Sequence, residues 1–229
     1  MPTNPATVFL RPSEKQPAHQ HVYEQLRERI LFGDLVPGQA VTIQGLVEDL
    51  GAGMTPVREA IRRLTTDGAL SMMGNRRVIV PELSSHCIQQ IDFMRRTLEP
   101  QLARNAVAHV DEMLLSELRA HDDALNVAIS LGDVRGYLTC NYRFHTTLYT
   151  CSDTPIISAT VDRLWLRFAP SLRVVCGRYG TLNLPDKHAD LLCALTTKDP
   201  DAAAKAMEED VHQGMLQIYE SLNSTNEDM

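Results

Sequence analysis

Apolar residues recur mainly at intervals of three and four along this chain, which is the spacing of one face of an α-helix. The first such segment covers residues 19–32, where Val22, Leu26 and Ile30 form the apolar face. Gly33 follows at once and is expected to end this helix, because glycine adopts the left-handed conformation of a helix C-terminus without strain. The folded part of the chain is therefore expected to begin with an amphipathic helix.

A second, shorter helix is predicted over residues 43–50, with Thr42 as its N-cap. Gly51 and Gly53 come directly afterwards and permit a tight turn. Two helices joined by a short glycine-bearing turn make a helix-turn-helix unit, so a further helix is expected after this turn.

The third helix carries both an apolar and a basic face. Thr55 is predicted as its N-cap and Pro56 as its first residue, where a missing N–H costs nothing. Its apolar positions recur at helical spacing: Val57, Ile61 and Leu64. Its arginines fall on the other faces: Arg58, Arg62 and Arg63. A basic helix of this kind is either the recognition helix of a DNA-binding module or an ordinary solvated surface helix, so the flanking segments have to decide between the two.

Two short strands are predicted after this helix, over residues 69–73 and 77–80, with a hairpin turn at residues 74–76 between them. Three helices followed by a basic hairpin form a winged helix-turn-helix domain. In such a domain the first turn of the third helix meets base edges in the major groove, while Arg76 and Arg77 at the wing tip reach phosphates or the minor groove. We therefore predict a double-stranded DNA operator as a partner.

The second half of the chain is helical almost throughout. Its predicted helices begin with a long one that contains Ile88 and Leu98 and continue over residues 114–131, 134–150, 155–175 (kinked or broken near Pro170), 185–197 and 200–222. Six helices of this length close an antiparallel bundle with an interior pocket. The predicted fold is mainly α, with an N-terminal winged helix-turn-helix and a C-terminal all-helical antiparallel bundle.

Five segments follow from these patterns. They are a flexible tail at residues 1–18, a winged helix-turn-helix DNA-binding domain at 19–80, a linker at 81–85, a helical effector-binding and dimerisation domain at 86–222, and a tail at 223–229. The bundle is expected to form a homodimer, because a two-fold pair of winged helices fits a palindromic operator.

Charge separates the two halves of the chain. Residues 1–80 carry nine Lys and Arg against eight Asp and Glu, a net charge of +1, whereas residues 81–229 carry 13 against 21, a net charge of −8. The five cysteines are scattered and never spaced as Cys-x-x-Cys, so neither a disulfide framework nor a cysteine zinc site is indicated. No apolar run reaches the roughly 18 residues that a membrane span needs, and the start lacks the apolar part of a signal peptide. We expect a cytoplasmic protein without a membrane partner.

Three motifs of the N-terminal half form a set: Leu26-Arg-Glu-Arg-Ile30, Gly33-x-Leu35-x-Pro37-Gly38, and Thr55-Pro-Val-Arg-Glu-Ala60 followed by Leu64 and Gly68. This set resembles the DNA-binding domain of GntR-family transcription regulators, and the resemblance implies that Thr55 and Arg58 contact DNA. Two positions depart from the family pattern. The family commonly has a basic residue where this chain has Met54, and sometimes has one where this chain has Gln44. Base readout is therefore expected to differ or to be weaker at both positions. The predicted DNA-contacting residues are Gln44, Met54, Thr55, Pro56, Arg58, Arg62, Arg76 and Arg77.

The second half carries a second set of features: Arg95-x-x-Leu98-Glu99-Pro100, Asn141-Tyr-Arg-Phe-His145, His188 and His212. It resembles the all-helical FCD effector domain of the FadR-type branch of the same family. Asn141 and His145 are four residues apart and so share one face of a helix. The family-like placement implies a divalent metal site made of Asn141, His145, His188 and His212, suited to zinc or nickel.

The metal-binding members usually have Asp where this chain has Asn141. An amide oxygen offers only a dipole to a dication, so the resemblance implies weaker metal retention here and a complex that carries one more positive charge. Such a complex favours an anionic effector, which makes a small organic acid the expected ligand. Each histidine taken singly is more simply a core or surface residue.

Two arginines are candidates for binding the effector carboxylate, Arg95 and Arg167. For Arg95 an ion pair with Glu99, one helical turn later, is the alternative.

The function these patterns favour is a ligand-responsive repressor or activator of transcription, and not an enzyme. A metal-dependent enzyme built on a helical bundle is the alternative from another class, but no His-Glu-x-x-His motif or Ser-His-Asp order supplies a general base. A third possibility is a purely dimerising second domain without any ligand.

Overall fold

The structure is a computed structural model that describes residues 17–74, 77–179 and 186–227. The N-terminal part consists of α1 (Ala18–Leu31), β1 (Ala40–Thr42), α2 (Ile43–Leu50), α3 (Met54–Thr66), β2 (Ser71–Met73) and β3 (Arg77–Ile79). The remainder consists of α4 (Ser85–Ala106), α5 (Glu112–Leu131), α6 (Val134–Cys151), α7 (Pro155–Tyr179), α8 (Lys187–Thr196) and α9 (Pro200–Glu227). The predicted mainly α fold, a winged helix-turn-helix followed by a helical domain, is confirmed.

The second helix starts and ends where its sequence signals lie. The Thr42 hydroxyl accepts a hydrogen bond from the Gly45 backbone N–H at 3.0 Å, which caps the first turn of α2. Gly51 adopts a left-handed conformation with φ of 58° at the other end, so the chain can turn sharply towards α3. The apolar face of α3 then closes the core of the domain, since Val57, Ile61 and Leu64 are all buried.

The third helix begins two residues earlier than its capping pattern predicts. It starts at Met54 with Gly53 as N-cap, and no side chain caps it, so the prediction of Thr55 as N-cap is wrong. The first turn closes instead through the Val57 N–H, which donates to the Gly53 carbonyl at 3.3 Å. Pro56 is the third helical residue, and this position is harmless because the first four N–H groups of a helix have no partner within it.

The wing is a three-stranded antiparallel sheet in the order β1, β3, β2. The strand β1 was not expected, because three residues are too few to show a period of two. It pairs Val41 with Val78, and β2 pairs Met72 with the same residue from the other side. The predicted wing-tip residue Arg76 lies outside the described residues.

The helices of the second part pack around a common core. The most extensive helix packing is between α4 and α9, and α5 packs against α6. The helix α7 lies against α4, α6 and α9. Of the kink or break predicted near Pro170, the break does not occur, because α7 runs continuously from Pro155 to Tyr179. A proline removes one backbone hydrogen bond, but buried neighbours on the same helix, Phe168 and Leu172, hold both halves against the core.

Contacts between α1 and α7 join the two parts of the molecule. Among the described residues, none of the helices is both long enough and apolar enough to cross a membrane.

Candidate DNA interface and candidate metal centre

The outer face of α3 presents a basic residue that is free to bind a ligand. Arg58 is exposed and makes no ion pair or hydrogen bond within the described part of the chain. Arg62, by contrast, donates two hydrogen bonds to Glu59, at 3.1 and 2.6 Å. Arg63 packs over the Tyr23 ring at 3.8 Å and is therefore part of the contact between α1 and α3. Among the arginines of this helix, Arg58 is the one that has no side-chain partner in the described part of the chain.

The other predicted DNA contacts that the structure describes lie on α2, α3 and β3. Met54 and Thr55, in the first turn of α3, are both exposed, and Pro56 beside them is partly exposed. Gln44 is exposed on α2, where its amide donates to Glu48 at 3.0 Å. Arg77 is exposed at the start of β3. These positions stay predictions, but the described ones all carry accessible side chains.

Three buried or half-buried side chains from three helices converge inside the second domain. His145 of α6, His188 of α8 and Asp210 of α9 each offer a ligand atom, and these atoms lie within 4.8 Å of one another. The His145 Nε2 is 3.3 Å from one oxygen of Asp210, and the His188 Nε2 is 3.9 Å from the other. Two imidazole nitrogens and a carboxylate facing one point form a donor set that suits a divalent metal ion.

The remaining ring nitrogen of each histidine is engaged on the outer side. The His188 Nδ1 lies 2.9 Å from a carboxylate oxygen of Asp122 on α5. The His145 Nδ1 lies 3.0 Å from the Tyr149 hydroxyl, which in turn donates to Glu99. In both rings the nitrogen that faces Asp210 is therefore Nε2, and partners of this kind fix the orientation of metal-binding histidines.

The charges of the cluster stabilise one another. Burial alone would raise the pKa of Asp210, but the hydrogen bond with His145 and the charges of His188 and Arg95 lower it to about 2. Burial lowers the pKa of His188, whereas the hydrogen bond with Asp122 and the charge of Asp210 outweigh this and raise it. The carboxylate is thus ionised at neutral pH, as a metal ligand must be.

The structure does not bring His212 into this cluster. Its side chain is about half exposed and lies 4.0 Å from Asp92. The predicted role of His212 as a ligand is wrong because α9 turns about 100° per residue, so a side chain two positions after Asp210 points to another face. The buried positions of α9, such as Met207 and Val211, mark the inner face next to which Asp210 lies.

The position of Asp210 within the last helix was a sequence signal for a buried carboxylate, although the predicted ligands were chosen mainly among histidines. Apolar residues of the last helix recur at helical spacing, at Ala203, Met207, Val211, Met215 and Ile218. Asp210 lies beside this stripe, and a carboxylate there needs a partner in the core. Asp122 and Tyr149 carried no comparable signal, since their partners come from distant segments.

A small cavity adjoins the cluster. Its volume is about 40 Å³, and His145, Asp210, Arg95, Asn141 and Trp165 are among the residues that line it. Asn141 is buried one helical turn before His145, so its amide faces the same space, as predicted from the spacing. The Trp165 indole N–H is buried without a hydrogen-bond partner among the described residues. The cavity therefore combines a candidate metal centre with polar groups that a ligand can engage.

Arg95 is almost fully buried and forms an ion pair with Glu99, which was the predicted alternative to binding an effector carboxylate. Its Nε and Nη2 donate to the two oxygens of Glu99 at 2.5 and 3.0 Å. Burial disfavours the charge, but the Glu99 carboxylate outweighs this and raises the pKa of Arg95. Since Arg95 also lines the cavity, a role toward an effector stays a prediction.

Arg167 lies away from the cavity. It is exposed, and its Nε donates to the Asp67 backbone carbonyl at 3.0 Å. The predicted effector contact of Arg167 is wrong because its position on α7 faces the N-terminal domain, whereas Trp165 and Phe168 of the same helix face the cavity.

Comparison with known proteins agrees with both halves of this geometry. Residues 18–80 match the family described as bacterial regulatory proteins of the gntR family, and residues 90–213 match the FCD domain. The chain belongs to the GntR family and carries an FCD domain. The FCD domain is associated with metal binding, and the members of the family are transcriptional regulators.

Curated relatives align with this chain over most of their own length. The chain is 29% identical over 208 residues to the HTH-type transcriptional regulator McbR of Escherichia coli K12, covering 88% of this chain and 93% of that protein. It is 24% identical over 226 residues to the HTH-type transcriptional repressor RspR of the same organism, covering 97% and 96%. The solved structure of E. coli McbR/YncC superposes with a TM-score of 0.85 at 27% identity, covering 91% of this chain and all of that one. The protein is accordingly a DNA-binding transcriptional regulator.

Proposed function

We propose that this GntR-family regulator binds its operator as a homodimer and that a small organic acid, bound beside a divalent metal ion in the FCD domain, modulates this binding. The convergence of His145, His188 and Asp210 on one point is the observation that carries the proposal. Ligand and DNA sites lie in different domains, so the ligand acts by shifting the balance between arrangements that bind DNA well and poorly. Its relative RspR is named a repressor, which supports repression as the mode of action.

The donor set fits a borderline divalent metal such as zinc or nickel. His145 and His188 offer Nε2 atoms and Asp210 a carboxylate, and the Asn141 amide oxygen is the candidate for a fourth ligand. Two neutral imidazoles and one carboxylate leave a bound dication with a net charge of +1. A bound metal would thus supply positive charge and open coordination positions, both of which favour a carboxylate ligand.

The small cavity restricts the size of that ligand. Its volume of about 40 Å³ accommodates only a few atoms beside a metal ion, since one water occupies roughly 10 to 15 Å³ on this scale. We infer an acid with few carbon atoms, or a larger one whose carboxylate end alone enters the cavity. The Trp165 N–H offers such a ligand a hydrogen-bond donor.

DNA binding through α3 is tested by replacing Arg58. A duplex is first selected from a random-sequence pool with the wild-type protein, and gel shifts then compare Arg58→Ala with Arg119→Ala, an exposed arginine of α5. Arg58→Ala is expected to abolish binding to this duplex, because a base or phosphate contact of an arginine contributes roughly 1 to 3 kcal/mol in each half-site. Equal binding by both variants would remove Arg58 from the interface.

The metal and effector part has its own test. Elemental analysis of the purified protein, followed by thermal-shift titration with zinc or nickel and a panel of small organic acids, is expected to give saturable stabilisation that needs the metal. The same acids are then added to the gel shift. A protein that contains no metal and responds to neither ion nor acid would exclude this half of the proposal and leave DNA binding untouched.

A further inference from the structure

We infer that Asp122 is a positioning residue of the candidate metal centre, which holds the His188 ring so that its Nε2 lone pair faces Asp210. This inference rests on the proposed metal-dependent function and adds a residue outside the convergent donor set. Asp122 lies on α5, a helix that contributes none of the three convergent side chains.

The contact is short and enclosed. The Asp122 carboxylate oxygen lies 2.9 Å from the His188 Nδ1, and both side chains are buried, with relative exposures of 12% and 8%. A carboxylate can only accept a hydrogen bond, so the hydrogen on this edge of the ring belongs to Nδ1. The neutral imidazole then carries no hydrogen on Nε2, which is the atom directed towards Asp210.

The ring has little freedom to turn away from this position. Its plane stacks on the Phe144 ring with 3.9 Å between centroids and 11° between planes. Stacking fixes the plane of the imidazole, but a ring flip within that plane would exchange the nitrogen and carbon edges. Asp122 removes this ambiguity, because after a flip its carboxylate would lose its hydrogen-bond donor.

The two histidines are held by outer groups of different charge. His188 donates to a carboxylate, whereas the Nδ1 of His145 meets the neutral hydroxyl of Tyr149. A carboxylate partner makes an imidazole a stronger electron donor than a neutral partner does. We therefore expect His188 to contribute more than His145 to metal affinity through its outer partner.

A graded series at this position separates orientation from mere packing. Asp122→Asn keeps an oxygen that can accept the hydrogen bond but removes the charge, and Asp122→Leu keeps the approximate size but removes the acceptor. Asp123→Leu, on the neighbouring exposed residue of α5, is the matched control. The tautomer of His188 is read from the ¹⁵N chemical shifts of its ring in metal-free protein at alkaline pH, with the signals assigned by His188→Gln. Zinc affinity is measured separately by competition with a chelator.

In the wild type and Asp123→Leu we expect a His188 ring with its hydrogen on Nδ1. Asp122→Leu is expected to lose this preference and to bind zinc about 10- to 100-fold more weakly, with Asp122→Asn in between. A hydrogen on Nε2 in the wild type, or an unchanged tautomer in Asp122→Leu, would overturn the inference. The expected tautomers together with no zinc binding by the wild type would instead refute the proposed metal site, and with it any role of Asp122 toward a metal.

Discussion

Asp210 changes the electrostatics that the amide of Asn141 would otherwise impose on the candidate metal centre. With three histidines and an amide, a dication would keep its full charge of +2 and bind weakly, as expected from the sequence. The structure instead places an ionised carboxylate from α9 between the two imidazoles. The donor set thus includes one negative charge, so the expectation of weakened metal retention loses its physical basis.

Replacement of Asp210 should therefore cost more than replacement of Asn141. Asp210→Asn is expected to weaken zinc binding by roughly 100-fold or more, because loss of a residue that binds the metal directly lowers the affinity at least as much as loss of a residue that orients a ligand. Asn141→Asp should tighten binding, since it adds a second carboxylate to the same space. Both are measured by chelator competition, with Asp201→Asn, an exposed residue of α9, as control. An unchanged affinity in Asp210→Asn would show that the carboxylate is not a ligand.

At the residue scale, the sequence predicted those cavity residues whose placement depends only on spacing within one helix. Asn141 and His145 share a helical face because they are four residues apart, and the structure keeps both at the cavity. The choice between Asp210 and His212 depends instead on which face of α9 turns inward, and that is set by packing against α4 and α8. Residue type favoured the histidine, but the period of the apolar residues favoured the aspartate.

At the scale of elements, the acidity of the second domain has a partial structural explanation. Four of its helices begin with an aspartate whose side chain accepts hydrogen bonds from backbone N–H groups of the first turn: Asp111 for α5, Asp133 for α6, Asp186 for α8 and Asp199 for α9. A carboxylate at this end also interacts favourably with the helix dipole. Part of the net charge of −8 in residues 81–229 therefore stabilises helix ends and implies no acidic binding surface.

Loss of one such cap should destabilise the protein measurably. The Asp111 carboxylate accepts from the Leu114 N–H at 2.8 Å, so Asp111→Ala is expected to lower the free energy of unfolding by about 0.5 to 2 kcal/mol. Asp123→Ala removes an equal charge from the exposed middle of the same helix and should change stability by less than about 0.5 kcal/mol. Urea denaturation of both variants measures the difference. Equal effects would mean that charge, and not capping, accounts for the loss.

The elements that sequence could not predict share a dependence on distant residues. The strand β1 forms only because β3 pairs with it 37 residues later, at the Val41 to Val78 position. Continuity of α7 through Pro170 depends on packing against four other helices, α1, α4, α6 and α9. By contrast, α2 could be bounded correctly because Thr42 and Gly51 act within their own turns.

At the scale of the whole molecule, the two domains meet through a hydrogen-bonded triad. Arg27 of α1 donates to the Tyr142 hydroxyl of α6 at 2.5 Å and to the Asp162 carboxylate of α7. The Tyr142 hydroxyl also donates to Asp162, at 2.6 Å. Burial lowers the pKa of Arg27, but these two partners outweigh burial and raise it, so the arginine stays charged. Further contacts, such as the ion pair of Arg135 with Asp34, surround the triad.

Packed rings connect this triad to the metal centre. The Tyr142 ring meets the edge of Trp165 with 5.3 Å between centroids, and Trp165 lies at the same distance from the His145 ring. Tyr142 also directly follows Asn141 in α6, and Asn141 lines the cavity. The route from ligand to DNA-binding domain that the proposed regulation requires is therefore short and continuous.

Tyr142→Phe should separate ligand binding from the DNA response. The variant keeps the ring contacts with Trp165 but loses both hydrogen bonds of the hydroxyl, each worth roughly 0.5 to 1.5 kcal/mol. We expect zinc affinity to stay within about twofold of the wild type, because the hydroxyl lies outside the metal centre. The change in operator affinity that zinc causes in the wild type should shrink, because α1 loses its hydrogen bond to α6 and the triad is reduced to the ion pair of Arg27 with Asp162 on α7.

Two measurements on the same protein check this prediction, zinc titration followed by the fluorescence of the single tryptophan, Trp165, and gel shifts with and without zinc. Tyr219→Phe on α9, a partly buried tyrosine remote from α1 in sequence, is the control and should respond to zinc as the wild type does. A full zinc response in Tyr142→Phe would mean that the surrounding contacts, such as Arg135 with Asp34, carry the coupling without the triad. A lost response together with lost zinc binding would instead show that the hydroxyl is needed for the metal site itself, and the proposed role of the triad in coupling would then be rejected.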